Sequence, residues 1–421
     1  MLEPYRMETL PLDAADDDPR WAAYLDLFAN AFLESRPNEE ALKLYRENQR
    51  ADQATLCMVT AEGPGLDGRQ GVAGFAWNDI LVNCGRGPVS AMVIKTVAVR
   101  STHRRKGLAR AMMKHNLMLG RDRGHALAVL TVSEATIYGR FGFGIASRYE
   151  SWEVDARRFA LRPDVDVAPG SCELLSPDRI AEVFEQVSAR CFEAHRGAHS
   201  PLNVHRVRAA GRTEEGEDRT LRHLVHYTPE GVPDGFVSFR HGGWADDFSD
   251  GPCPMKVSAI WAPSPAISRA LWRGLVEIDL VAKVRYDSVP RGDSLPYSLV
   301  DSWAVNRRST HDGVWLRILD LPSAVAQRGF DADGEVVVRV VDPMGLCDGT
   351  WRIRAEGDVA TATLSADSPA VELGVDTLAR LWHGDVTARE LARAGIIRGD
   401  GVAALSDLFA TLDPPVNHVY F

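Results

Sequence analysis

The stretch that decides the fold is Ala91-Met92-Val93-Ile94-Lys95-Thr96-Val97-Ala98-Val99, continued by Arg100-Ser101-Thr102-His103-Arg104-Arg105-Lys106 and then Gly107-Leu108-Ala109-Arg110. Its first part is apolar and rich in β-branched side chains, which reads as a buried strand. The chain then passes through a loop in which His103 to Lys106 are all basic. An amphipathic helix is expected from Gly107 to about Arg121, closed by Gly124. Backbone N–H groups at a helix start carry the positive end of the helix dipole and bind anions. Gly107 allows a pyrophosphate close to the backbone, small Ala109 keeps the first turn open, and Arg104 and Arg105 suit phosphate oxygens bidentately. Alone, the run also reads as a common basic turn before a surface helix, so its neighbours must decide.

Upstream, residues 21–50 read as one or two helices, followed by strands at Thr55–Thr60 and Val72–Trp77. Downstream, Ala126–Val132 reads as another buried strand. A short helix over Ser133–Gly139, the turn Phe141-Gly142-Phe143-Gly144 and a last strand at Ala146–Val154 complete an α/β (α+β) unit with helices flanking a sheet. After Arg157 the pattern begins again. Ser176-Pro177-Asp178 is a helix start, strands are expected at Leu221–Tyr227, Gly235–Arg240 and Lys256–Trp261, and a helix at Ile267–Ala282 leads to a strand at Val284–Val289. Where the first copy has its basic glycine loop, the second has Ala262-Pro263-Ser264-Pro265, which offers no phosphate cradle. From about Trp303 strands come first, beginning with Val314–Leu319, and helices afterwards. The expected units are therefore 1–156, 157–302 and 303–421. The ending Val416-Asn417-His418-Val419-Tyr420-Phe421 reads as docked.

Composition narrows the function. The chain has 421 residues, 45% hydrophobic and 25% charged, which is the composition of a globular protein of several domains. A formal net charge of −10 argues against a general nucleic-acid binder. No apolar run is long enough to span a bilayer, and the N-terminus carries no Sec-type signal, so a cytoplasmic protein is expected. The cysteines at 57, 84, 172, 191, 253 and 347 include no C-x-x-C pair, so reduced thiols and no metal are expected.

The second chemical element is Ser133-Glu134-Ala135-Thr136-Ile137-Tyr138-Gly139-Arg140-Phe141-Gly142-Phe143. With it, Arg104-x-x-Gly107-x-Ala109 resembles the cofactor loop of the GCN5-related N-acetyltransferases. The Tyr138 segment, a large middle unit and an aromatic last residue resemble the enhanced-intracellular-survival branch, whose members are aminoglycoside acetyltransferases. The resemblance implies tandem acetyltransferase-like domains, of which the first holds acetyl-CoA, a C-terminal domain of sterol-carrier type, and a hexamer. It implies that Val97, Ala98, Val99, Arg104, Arg105, Lys106, Gly107, Leu108, Ala109 and Ser133 hold the cofactor. Tyr138 would be the general acid and the Phe421 carboxylate the general base, with Phe32 and Glu34 lining the pocket of a polyamine-like small-molecule acceptor.

The chemistry suits these residue types. A neutral amine must attack the thioester, so an ammonium proton has to leave, and backbone donors must hold the developing oxyanion. A tyrosine with a reference pKa of about 10 keeps its proton at neutral pH and can give it to a thiolate. An α-carboxyl is a weak base unless desolvated. Ser133 also reads as a helix cap. Glutamate at 34 departs from the aspartate the family carries there. Two alternatives stand beside this reading: a protein-lysine acceptor, and a lipid- or hydrophobe-binding C-terminal unit lined by Trp315, Trp351 and Trp382.

Overall fold

The computed structural model describes residues 4–243 and 254–420. The first unit contains strands β1 (Tyr5–Leu10), β2 (Thr55–Gly63), β3 (Leu66–Asn83), β4 (Pro88–Val99), β5 (Leu127–Thr131) and β6 (Gly144–Ile145). Its helices are α1 (Pro19–Phe32), α2 (Glu39–Ala51), α3 (Leu108–Asp122) and α4 (Ala135–Tyr138). Asp18 and Asn38 accept hydrogen bonds at the starts of α1 and α2, as short polar caps do. Side chains along β2 alternate between two cores. Leu56 and Met58 meet Trp21, Tyr24 and Leu27 of α1, whereas Cys57 and Val59 share a core with Met112, Met113 and Leu117 of α3. The sheet is thus covered by α1 on one face and α3 on the other.

Two strands change places between units. β7 (Arg148–Asp155), expected to close the first unit, instead pairs with Lys283–Pro290 and Val305–Asp312 in the middle sheet. In return Val314–Ile318, expected to open the third unit, lies in the first sheet between β5 and β6, antiparallel to both. The reason is geometric. β5 and β6 leave a gap one strand wide, and an all-apolar segment with only Arg317 interrupting it can be buried on both faces. Trp315 therefore belongs to the α3-side core and not to the third unit.

The middle sheet runs Val305–Asp312, β7, Lys283–Pro290, Met255–Trp261, Pro233–Arg240, Leu221–Tyr227 and Ser171–Leu175. Here Met255–Trp261 and Lys283–Pro290 are parallel and joined by helix Pro265–Val276, as β4 and β5 are joined by α3. That helix stops at Val276 rather than Ala282. Ser176 does precede the Pro177 turn, without a side-chain capping bond. In the third unit the strands Val359–Leu364, Gly349–Glu356, Gly334–Val341 and Val371–Gly374 form one sheet. Trp382 is fully buried in the core there, in contact with Phe409. Cys57, Cys84, Cys191 and Cys347 are buried free thiols, Cys172 is half-buried and free, and Cys253 lies outside the described residues.

First and third units share one core, in which Val82, Val89, Ala91 and Val93 meet Val338, Leu378 and Trp382. Gly144 of β6 lies against the backbone of Asp376, where any Cβ would overlap the carbonyl. A buried ion pair clasps the same boundary. Arg317 Nη2 donates to Asp342 Oδ2 at 2.6 Å, both side chains fully shielded. Asp342 also accepts from the backbone N–H groups of Met344 and Cys347, and Arg317 Nη1 donates to the Ile318 carbonyl. Removing one partner leaves an uncompensated charge in the core. Arg317→Met is therefore expected to cost ~3–5 kcal/mol in urea unfolding, and the double variant Arg317→Met/Asp342→Leu distinctly less. Equal losses for the single and double variants would show that the pair itself is not what holds this boundary.

Candidate active site

β4 begins as a regular strand and then departs from regularity. Lys95 pairs with Ala76 and Ala98 with Gly74, so Thr96 and Val97 together oppose Phe75 in a bulge. Thr96 sits at φ 50°, in the left-handed region that a β-branched residue enters only when its surroundings force it. On the other edge, β4 and β5 are paired only from Ala91 with Leu127 to Val93 with Val129. Past Val93 the two strands share no pair, although β4 continues to Val99 and β5 to Thr131. A wedge opens there, with Val97 and Val99 half-buried and Ala98 buried against α1.

The basic loop lies at the outer end of this wedge. Arg100 is tied back by its N–H to the Val72 carbonyl, and Ser101–His103 form a single tight turn. Arg105 at φ 63° and Gly107 at φ 79° are both left-handed, so the loop coils tightly into α3. Gly107 caps the helix without a side chain, and no side-chain hydrogen bond satisfies the first turn. Its first N–H groups have no intrahelical partner, which is the chemistry of an anion cradle. Arg104, Arg105, Lys106 and Gly107 are exposed, Ala109 is half-buried and Leu108 anchors the turn in the α3 core. None of these three cations forms an ion pair among the described residues. The corresponding start in the middle unit is closed: Ser264 Oγ accepts from the Ile267 N–H at 3.3 Å. An uncapped helix start, three free cations and an open wedge leading inward fit a long ligand with a pyrophosphate at one end.

Tyr138 ends α4, just beyond β5. It is 8% exposed and its ring meets Phe143 edge to face. Burial, with a smaller contribution from the Glu134 carboxylate, raises its pKa above the ordinary tyrosine value, so the phenol holds its proton more firmly. The cap of α4 is Glu134 and not Ser133. No side chain caps the helix, Thr136 donates its hydroxyl proton to the Glu134 carboxylate, and Ser133 stands exposed at the end of the wedge. Phe32 closes α1, stacks on Phe28 and is 45% exposed, so it is not a core residue. Glu34 is exposed and its backbone N–H bonds Ala29. No hydrogen bond or ion pair links Phe32 or Glu34 to the basic loop; the nearby Asp26 makes that link, 3.7 Å from Arg100.

Phe421 lies outside the described residues, which end at Tyr420. The tail before it is docked. The Val416 N–H bonds the Arg196 carbonyl, Tyr149 Oη donates to the Asn417 carbonyl at 3.0 Å, and Val419 is fully buried in the middle unit. His205 Nε2 donates to the Tyr420 carbonyl at 3.0 Å. This end of the chain thus meets a group of polar residues that pattern reading passed over. Asp52 at the end of α2 accepts from the Asn203 N–H through Oδ1, while its Oδ2 is buried without a partner among the described residues. Burial raises the Asp52 pKa. Burial also pushes the Lys95 ammonium down to about 8, partly offset by the Asp52 charge. His205 is driven to about 4 by burial, with Lys95 and Arg208 adding to the effect. The one signal in the sequence was Lys95 itself, a charge in an otherwise apolar strand.

Comparison with known proteins gives these features a context. Two acetyltransferase (GNAT) domain models match residues 16–146 and 203–318, and a sterol carrier protein domain model matches 321–417. An uncharacterized N-acetyltransferase of Streptomyces avermitilis is 31% identical over 374 residues, covering 86% of this chain and 88% of its own. The N-acetyltransferase Eis of Mycobacterium tuberculosis is 30% identical over 335 residues, covering 77% and 79% respectively. Among solved structures, Eis1 from Mycobacterium abscessus has a TM-score of 0.78 at 24% identity, covering 99% of this chain and 100% of that one. A GCN5-related N-acetyltransferase from Anabaena variabilis has a TM-score of 0.77 at 18% identity, with coverage of 99% and 100%. These two likenesses speak to the fold.

Two measurements test the site as built. If Arg104 and Arg105 hold a pyrophosphate, replacing both by alanine costs charge-assisted bonds worth ~1.5–3 kcal/mol, and CoA binding is expected to weaken roughly 10–100-fold by calorimetry. An unchanged Kd would remove the loop from the cofactor site. For Lys95 the folded chain disfavours the ammonium, so between about pH 8 and 10.5 the unfolded chain binds more protons. Stability then rises with pH across that window relative to Lys95→Met, the penalty being fully present below it and gone above it. A stability difference between the two that stays flat with pH would mean Lys95 is not desolvated.

Proposed function

This chain belongs to the acetyltransferase (GNAT) family in its Eis-type branch and is an N-acetyltransferase; from that premise we propose that it acetylates a primary amine of a polycationic small molecule, aminoglycoside-like or lysine-like. The observation that carries the reading is the buried Tyr138 beside the wedge between β4 and β5. Acetyl-CoA supplies an activated acetyl thioester. In this proposal the N–H groups at the start of α3, with Arg104, Arg105 and Lys106, hold its pyrophosphate. Val97, Ala98 and Val99 offer backbone groups to the arm that enters the wedge, and Ser133 lines its far side. The bulge at Thr96 supports that role, because it frees strand backbone from the ladder.

Tyr138 acts as the general acid. Its raised pKa keeps a proton at Oη that is passed to the departing sulfur. The Phe421 carboxylate is the base that takes the acceptor's proton, and the docking of Tyr420 at His205 supports bringing it to the first unit. The acidic balance of the chain favours a cationic acceptor, with Phe32 and Glu34 at the rim. Hexameric assembly and a cytoplasmic site of action belong to the same proposal. The exposed Tyr297, Val300 and Trp303 support self-association, since apolar side chains clustered at a surface mark interfaces.

The test is release of free CoA from acetyl-CoA over aminoglycosides, polyamines and lysine peptides. Tyr138→Phe is expected to lower kcat by roughly 100-fold or more with CoA affinity retained. A chain extended by a few residues beyond Phe421 is expected to lose turnover in the same way. Full activity of the extended chain would remove the terminal carboxylate from the mechanism, and no CoA release on any amine would sink the reading.

A further inference from the structure

A cavity of about 490 Å³ lies between the middle unit and the tail, bounded by His195, Ala262, Asp293, Asp413 and His418. Beside it stand Cys191, His195 and His418, which each offer one ligand atom, all within 4.8 Å of one another. Cys191 is in the last turn of helix Ile180–Ala194 and His195 is its C-cap, so the two fall on one helix face, one turn apart. His418 comes from the docked tail, stacked on Trp261 with ring centroids 4.9 Å apart. We propose that these three residues form a metal site for a zinc-type cation, stapling the tail to the middle unit.

Four observations lead there. First, His418 Nε2 is buried and has no hydrogen-bond partner among the described residues, an unmet polar atom that a metal would satisfy. Second, His195 Nε2 donates to the Ala262 carbonyl at 2.9 Å, so Nδ1 is the nitrogen that keeps a lone pair for a metal. Metal-bound histidines are commonly oriented by such a bond from the other ring nitrogen. Third, Cys57, Cys172 and Cys347 each find a polar partner for sulfur, whereas Cys191, fully buried, forms no hydrogen bond to a described residue. Fourth, the C-terminal end of a helix is the end at which a cation is favoured.

One sulfur and two imidazoles suit Zn2+, whose bonds of roughly 2.0–2.3 Å place neighbouring ligand atoms on the order of 3.5 Å apart. Closing the cluster from separations within 4.8 Å therefore asks each pair of ligand atoms to approach by roughly 1 Å at most. On binding, the Cys191 thiol releases its proton to solvent and the thiolate forms the metal–sulfur bond; no electron is transferred. The fourth position opens on the cavity, where water or the Asp413 carboxylate can occupy it. Because the tail leads on to Tyr420 at His205, the staple holds this end of the chain on the middle unit.

The experiment uses the full chain, dialysed against Zn2+ and freed of loose ion, with metal counted by mass spectrometry, then repeated with Co2+. One metal per chain and a thiolate-to-cobalt charge-transfer band are expected. Cys191→Ser should abolish the band, and His418→Gln should weaken zinc binding by more than about 100-fold while circular dichroism stays unchanged. If the unaltered chain binds no zinc, or binds cobalt without the thiolate band, the site is wrong. Stoichiometric zinc retained by both variants would equally overturn it.

Discussion

The structure depends on an exchange of strands. β7 leaves the first unit to pair in the middle sheet, and Val314–Ile318 comes back to fill the gap between β5 and β6. Neither sheet is complete without the other's strand, so the two acetyltransferase-like units are interlocked rather than strung on a linker. The returning strand carries Arg317, whose buried pairing with Asp342 then fixes the third unit against the first. A buried pair of this kind adds little net stability, but it penalises misdocking, because any other arrangement strands two charges in a core.

That interlock allows the site to be assembled from remote segments. The wedge past Val93 exists because β4, bulged at Thr96, parts from β5 after the Val93–Val129 pair, while the two strands stay paired before it. The basic loop is positioned by α3, whose methionines and Leu117 lock it to the sheet. Lys95, Asp52, His205 and the Tyr420 carbonyl come from four separate elements and meet only because the middle unit and the tail close over α2. The shifts in this group share burial as their leading cause, which raises the carboxyl and lowers the ammonium and imidazole. Such opposed shifts favour neutral forms and gather where a protein handles protons.

The two copies of the βαβ unit show how a small sequence difference separates a ligand site from a scaffold. Both have parallel strands joined by a helix. In one the helix starts at Gly107 with its N–H groups uncapped; in the other Ser264 fills that role with its own hydroxyl. A helix start that satisfies itself has nothing left to offer a phosphate. The middle unit has instead become a seat for the tail, through Trp261, His418 and the buried Val419.

What the sequence determined by itself was local. The apolar run to Val99, the basic loop and the glycine start of α3 were legible because helix and strand periods, dipole and loop chemistry act over a few residues. The Tyr138 segment stood out through the family resemblance, and a division into three units came from the place where the strand and helix pattern begins again. Beyond reach were β1 at Tyr5–Leu10, too polar to announce itself as a strand, and the destinations of β7 and Val314–Ile318. A strand's pattern says that it will be buried and not which open edge will receive it. The trio Cys191, His195 and His418 and the group around Lys95 were equally hidden, since each joins residues from distant parts of the chain. Tertiary structure decided these, because burial, and with it charge state and proximity, is set by what packs against a residue and not by its neighbours in sequence.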